Sequence, residues 1–256
     1  MATYKKRGYK PQNKTEQQQA EELNSTTAEV FNTLDETANR SEQWIEKNNK
    51  ALFVGLIVVV LLVLGVLGYN KYIKEPTELE ASNELAFPRK YFNKASTVVG
   101  VKADSLLTLG LEGADGKFGF LDIAETYSGT KTGNLANYYA GVSYLKMKEY
   151  EKAIEYLSKF SSDDLALGSV ALGAIGDSFA DINQPEEALE YYEKAANNKE
   201  NDFTTPLFLY KAAQTAMDLK KYKKAEKLYT RIKEKFPKSE QGKEIDKYIY
   251  SAKYAE

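Results

Sequence analysis

The side chains most often used in catalysis are missing from this sequence, which has no histidine and no cysteine. Thiol chemistry, disulfides and most zinc sites are thereby excluded, and the commonest general base is absent. The remaining carboxylates offer one candidate catalytic pair, Asp177 and Asp181, which a helix would place on one face. We interpret this pair as a solvated acidic stripe. The sequence therefore predicts no enzyme, no metal site and no cofactor.

The charge balance also limits the partners. The chain carries 35 Lys and Arg against 37 Asp and Glu, a net charge of -2. Such a balance gives no strong positive field for nucleic acid. We expect no specific nucleic-acid partner and no small-molecule substrate, which leaves lipid and other proteins.

One stretch, "ALFVGLIVVVLLVLGVLGY", has no charge, amide or proline from Ala51 to Tyr69. As a helix it would be about 28 Å long, close to the ~30 Å of a bilayer's hydrocarbon core. It begins too late for a secretory signal, and no cleavage pattern follows it. We predict an uncleaved transmembrane helix over residues 51–70. The positions expected to contact lipid are Ala51, Leu52, Phe53, Leu56, Leu61, Leu64, Leu67 and Tyr69.

The arm before this stretch sets the expected orientation. Its first basic residues precede any acid, in "MATYKKRGYKPQNK", and basic residues favour the cytoplasm. We expect a cytoplasmic N-terminus and a C-terminal domain in the periplasm, anchored in a bacterial inner membrane. Residues 1–22 have little to bury and predict disorder. Residues 23–50 predict an amphipathic juxtamembrane helix, either docked on a membrane or partner, or simply a solvated spacer.

After the anchor, similar segments recur: "NYYAGVSYLKMKEYEKAIEYLSKF", "LGAIGDSFADINQPEEALEYYEKA" and "LYKAAQTAMDLKKYKKAEKLYTRI". Each predicts two amphipathic helices joined by a short polar turn. The equivalent alanines Ala153, Ala188 and Ala225 are 35 and 37 residues apart. A period this close to 34 is typical of a helix-turn-helix solenoid.

These segments resemble tetratricopeptide (TPR) repeats. The positions that carry the resemblance are small Gly141, Gly176 and Ala213, aromatic Tyr144 and Phe179, the three alanines above, and bulky Leu157, Tyr192 and Tyr229. Ala216 and Asn137 depart from the pattern, where an aromatic and a large apolar residue are usual. The resemblance implies an all-α TPR-like solenoid, and it places every matched residue in the core.

The predicted solenoid domain spans residues 76–256. It consists of a degenerate repeat at about 78–130, repeats at 134–164, 165–199 and 203–237, and a capping helix at 239–254. We read "LGLEGADGKFG" as a linker within the degenerate repeat, with a turn at Asp115.

The resemblance also implies a concave face lined by the first helix of each repeat. The predicted peptide-binding positions are Tyr138, Val142, Leu145, Lys146, Asp177, Asp181, Tyr210, Gln214 and Asp218. Tyrosine, aliphatic and acidic side chains together suit an extended peptide. The alternative is that an upstream segment of this chain or a fixed partner fills the face.

The whole arrangement, a cytoplasmic arm, one anchor and a short TPR domain, resembles the YfgM-type ancillary subunit of the Sec translocon. That resemblance implies a SecYEG-like channel, periplasmic chaperones and emerging polypeptides as partners. A general envelope scaffold and a cytosol-facing import receptor remain alternative interpretations.

Overall fold

A computed structural model describes the backbone of residues 14–255 and the side chains of residues 42–255. The described part is all-α, with one isolated bridge in a turn and no strand. It divides between Tyr69 and Asn70 into two compact units, the second of which contains the repeats.

The first unit is a single helix, α1, from Lys14 to Tyr69. Its C-terminal part is the apolar stretch, where large side chains such as Phe53 and Leu61 are exposed. The most apolar window has a mean hydropathy of 3.1 and is 0% buried. By length and composition this helix can cross a membrane.

The N-terminal arm differs in part from the prediction. Helix α1 begins at Lys14, so residues 14–22 are helical rather than disordered, because Gln, Glu and Ala all favour helix. The predicted disorder of residues 1–13 lies outside the described residues. The segment 23–50 is helical throughout, but the side chains before residue 42 lie outside the described part, so its amphipathic character stays a prediction.

The second unit opens with a π-helical turn at Asn70–Lys74. Its helices then follow in chain order: α2 Glu75–Ala95, α3 Val101–Glu112, α4 Phe120–Thr126, α5 Lys131–Lys146, α6 Tyr150–Lys159, α7 Leu167–Asp181, α8 Pro185–Asn198, α9 Thr204–Asp218, α10 Tyr222–Lys235 and α11 Ile245–Lys253. The pairs α5–α6, α7–α8 and α9–α10 form the three repeats, and each has a first (A) and a second (B) helix.

The three A helices end in the same turn. Lys148, Asn183 and Lys220 have φ values of 62°, 58° and 57°. The amide of the next residue then donates to a carbonyl five residues back, for example Glu149 N to Tyr144 O at 2.9 Å. This is the Schellman geometry that closes a helix and reverses the chain. Its recurrence gives each repeat the same A-to-B connection.

Small residues let the paired helices approach closely, as predicted. A Cβ added to Gly141 would lie 2.5 Å from Leu157 Cγ, and one added to Gly176 would lie 2.7 Å from the Tyr192 ring. Ala213 is fully buried. The matched small and large residues therefore pack against one another within each repeat.

Opposite charges join the B helices of the second and third repeats. Helix α8 and the residues after it supply carboxylates, and α10 with the residue before it supplies lysines and an arginine. The ion pairs are Glu186–Lys221, Glu193–Lys224, Glu200–Arg231 and Glu200–Lys235. We call this set the B-helix ladder.

The region before the first repeat contains a helix that the sequence did not predict. Helix α3 extends to Glu112, so the predicted linker "LGLEGADGKFG" is helical in its first part. Gly110 lies in close contact with α2, where an added Cβ would be 3.3 Å from Pro88 O. The glycine serves helix packing there, and the linker begins at Gly113. The predicted turn follows, since Asp115 and Gly116 have φ values of 53° and 69°.

The capping helix starts later than predicted. We expected it from residue 239, but α11 begins at Ile245. Ser239 instead closes a turn, in which its Oγ accepts a hydrogen bond from Gly242 N at 3.0 Å. Ile245 and Ala252 of α11 then extend the core of the third repeat.

Candidate functional site

The predicted positions of the first repeat lie partly in the core. Tyr138, Val142 and Leu145 are half-buried and pack against Ala171, Ala174 and Ile175 of α7. The Tyr138 ring also lies 5.2 Å from that of Phe160. These side chains join the first two repeats, and Lys146 is the exposed member of the set.

Asp177 is engaged by the next repeat. Lys211 Nζ of α9 donates to both of its carboxylate oxygens, at 2.6 and 2.9 Å. The Tyr192 hydroxyl of α8 donates to Oδ1 at 2.6 Å. Burial raises the pKa of Tyr192, and the Asp177 carboxylate adds to the shift. Asp177 is therefore part of a three-residue joint between the second and third repeats.

Asp181 is exposed at the end of the same helix. Burial raises the pKa of Tyr150, and Asp181 adds to this shift through its charge and a hydrogen bond. The two aspartates thus contact different helices. Their surroundings are those of structural groups rather than of a catalytic pair.

The third repeat brings its predicted residues together with the C-terminal helix. The ring of Tyr210 lies 5.8 Å from Tyr229 and 5.1 Å from Tyr248 of α11. Tyr229 and Tyr248 stack at 5.5 Å. Gln214 Nε2 donates to the Tyr210 hydroxyl at 3.3 Å. We call Tyr210, Tyr229 and Tyr248 the tyrosine cluster.

Burial raises the pKa of two of the three phenols in this cluster. It raises the pKa of Tyr229 to about 12, with further contributions from Tyr248 and Asp218. Burial likewise raises the pKa of Tyr210, which is also hydrogen-bonded to Tyr248. Each tyrosine of the cluster carries a hydroxyl group that can both donate and accept hydrogen bonds.

Two open cavities adjoin the cluster. The first has a volume of about 530 Å³ and lies among α8, α9, α10 and α11; the second has about 570 Å³ and reaches the turn before α11. Both are lined by Lys211, Gln214 and Tyr248. We call the two cavities together the C-terminal groove. Both volumes lie within the range of ligand pockets in proteins, about 300–1,000 Å³.

Sequence reasoning identified Tyr210, Gln214 and Asp218 in this groove but missed Lys211, Tyr248 and Ser251. Lys211 and Asp177 are 34 residues apart, one repeat period, so the pairing had a detectable signal. Tyr248 and Ser251 lie on α11, and their spacing alone does not show that this helix forms a wall of the groove.

The structure shows no metal site in the part of the chain that it describes. No group of three or more carboxylates converges among those residues. The buried polar side chains there are hydrogen-bonded, so the described core has no unpaired polar group facing a ligand.

Comparison with known proteins agrees with the packing. One tetratricopeptide-repeat profile matches residues 135–163 and 208–239, and a second matches residues 170–202. These stretches cover most of the pairs α5–α6, α9–α10 and α7–α8. No curated protein matches the chain. These three helix pairs are therefore tetratricopeptide repeats, and the described part of the chain is all-α and also contains one long apolar helix.

Proposed function

We propose that this protein is a membrane-anchored interaction module that binds extended segments of other polypeptides in its C-terminal groove. The C-terminal groove is the observation that carries the proposal, because it is open and lined by predicted contact residues. Its tyrosine cluster provides large amphipathic surfaces at low entropic cost. The exposed apolar part of α1 supports a membrane anchor, with lipid around it.

We further propose that the module is an accessory subunit of a Sec-type translocon, on the periplasmic side of a bacterial inner membrane. The support is the order of arm, anchor and repeats, which resembles the YfgM type. In this role the repeats contact emerging polypeptides or periplasmic chaperones. A scaffold of another envelope complex and a cytosol-facing import receptor are the competing functions.

Photo-crosslinking from the groove tests polypeptide binding. A benzoylphenylalanine replaces Gln214 in the full chain in native membranes, and the same residue replaces Glu187 on α8 as a control. Both positions are exposed, but only Gln214 lines the groove. We expect crosslinks to translocating polypeptides from position 214 alone. Equal yields from both positions, or none from 214, would contradict the proposal.

The location and partner need separate measurements. The C-terminal domain should resist protease in inside-out vesicles and be digested in right-side-out vesicles whose outer face is accessible. After mild detergent extraction, the tagged chain should enrich channel subunits over a tag-only control. The reverse protease pattern would favour the import receptor, and an envelope complex without the channel would favour the scaffold.

A further inference from the structure

The charged side chains that line the C-terminal groove are almost all paired. Lys211 is held by Asp177, and Lys243 pairs with Glu240 at 2.7 Å. Glu244 pairs with Lys247. Each of these pairs is close to neutral as a unit, so none of them sets the charge of the groove.

Asp218 is the exception. It lines the first cavity beside Tyr229, Tyr248 and Ser251 and is exposed. It makes no ion pair with any residue whose side chain the structure describes. Among the described charged residues that line the groove, Asp218 is therefore the one without an ion-pair partner, and it lies where α9, α10 and α11 meet.

The groups around Asp218 are rich in hydrogen-bond acceptors. Tyr229, Ser251 and Gln214 line the same cavity, and their side chains carry hydroxyl or amide oxygens that can accept hydrogen bonds. An ammonium or guanidinium group needs such acceptors for its several N–H donors. The faces of the Tyr229 and Tyr248 rings contribute less to binding a cation. The two rings stack on each other, and Lys247 Nζ already lies 5.0 Å from the centroid of the Tyr248 ring.

We propose that this cavity takes the side chain of an arginine or lysine from a polypeptide lying in the groove, with Asp218 as its charged partner. The inference rests on the proposed function, because it names the residue class that the same groove selects. An acidic ligand side chain would meet like charge at Asp218. A neutral one would leave that carboxylate without a partner.

Paired peptides test this site. The probes are short Gly/Ser/Leu/Tyr peptides that are acetylated at the amino terminus, labelled with fluorescein and contain one arginine. The position of the arginine differs from peptide to peptide. Each peptide has a partner in which citrulline, which has the same shape but no charge, replaces the arginine. Anisotropy is measured with the full chain in detergent micelles. We expect the best-placed arginine peptide to bind about tenfold more tightly than its citrulline partner, the range of a hydrogen-bonded charge contact.

In the variant Asp218→Asn, the ratio of the affinities for the arginine and citrulline peptides should be close to one, because the substitution removes the charge and keeps the shape. Asp202→Asn, in the turn before α9, makes the same chemical change at an exposed position outside the cavity and should leave the ratio unchanged. Circular dichroism checks that both variants remain folded. A loss of preference in both variants would contradict the local role of Asp218.

The failures are distinguishable. If no peptide of either kind binds, both the proposed function and the cation site are overturned. If arginine and citrulline peptides bind equally well, the site is wrong and polypeptide binding stands. One further probe, a citrulline peptide with a free amino terminus, tests whether the site binds an arginine side chain or a terminal amino group. Tighter binding by that peptide than by the arginine peptide would overturn the assignment to a side chain.

Discussion

At the scale of single residues, Gly173 shows how closely neighbouring repeats approach. An added Cβ at this position of α7 would lie 1.9 Å from Phe208 Cε1 of α9. Phe208 is itself buried, so its ring has little room to move. This glycine was not among the positions singled out from the sequence, because its contact is with the next repeat rather than with its own B helix.

Gly173→Ala should lower the free energy of unfolding by about 1–3 kcal/mol, the usual cost of overpacking a core. The measurement is chemical denaturation of the full chain in detergent. Gly129→Ala is the matched control, because an added Cβ there meets no atom within 4 Å. If the two variants are equally stable, the contact between Gly173 and Phe208 is not the constraint that the structure indicates.

Residue patterns predicted the packing inside each repeat better than the contacts between neighbouring repeats. Gly141, Gly176 and the equivalent alanines follow a fixed local spacing, so the sequence revealed their packing. The role of Asp177 depended instead on Lys211 and Tyr192, which other helices bring to it. A charged residue at a predicted binding position can be a ligand contact or an internal partner, and spacing alone does not separate the two.

At the scale of helices, α2 is fixed to the first repeat by one carboxylate. Glu78 accepts hydrogen bonds from Lys131 N at 2.7 Å, Thr132 N at 2.9 Å and Thr132 Oγ1 at 2.6 Å. These amides belong to the first turn of α5, which has no partner for them within the helix. Partial burial raises the pKa of Glu78, but the hydrogen bonds outweigh it, and the net pKa lies below the usual range of a glutamate.

Glu78→Gln should therefore destabilise the repeat domain by about 1–2 kcal/mol at neutral pH, the range of a charge-assisted hydrogen bond. A lowered pKa gives stability that is present above the pKa of the unfolded chain and is lost as the pH falls through the lower, folded pKa. The gap between wild type and variant should thus close in acid. Denaturation series at several pH values measure it.

The control for this experiment is Glu187→Gln, which makes the same change at an exposed position of α8. It should leave stability nearly unchanged at every pH. A gap between wild type and Glu78→Gln that stays constant down to strongly acid pH would contradict an ionised Glu78 at the joint.

Helix ends were harder to predict than helix existence. The "LGLEG" stretch contains two glycines, which favour a break, yet burial of Leu107 and Leu111 continues α3 to Glu112. In α11 the Ser239 turn delays the helix to Ile245. Both differences arise because packing and local hydrogen bonds outweigh intrinsic helix propensity.

At the scale of the whole molecule, the two units differ in where their apolar side chains lie. The core clusters lie within the second unit, whereas the apolar part of α1 buries nothing. A chain truncated to residues 70–256 should be soluble without detergent and melt at nearly the temperature of the full chain. Differential scanning calorimetry with size-exclusion chromatography measures both properties.

Lysines in the span provide a second test at this scale. Leu61→Lys combined with Leu64→Lys should remove the full chain from the membrane fraction, because each lysine at the centre of a span costs about 2.5–3.5 kcal/mol. Lysines at two exposed positions of α8, Glu187 and Glu190, should not. Retention of the span variant after carbonate extraction would contradict a transmembrane anchor.

The B-helix ladder affects how the number of repeats in this protein can change. An acidic α8 faces a basic α10, so the second and third repeats are not interchangeable neighbours. Duplicating residues 165–199 in tandem would place one acidic helix against another, and the new junction would gain repulsion where the present one has attraction. Charge changes in the inserted copy would therefore favour growth of the array by duplication, although each exposed ion pair contributes only about 0–1 kcal/mol.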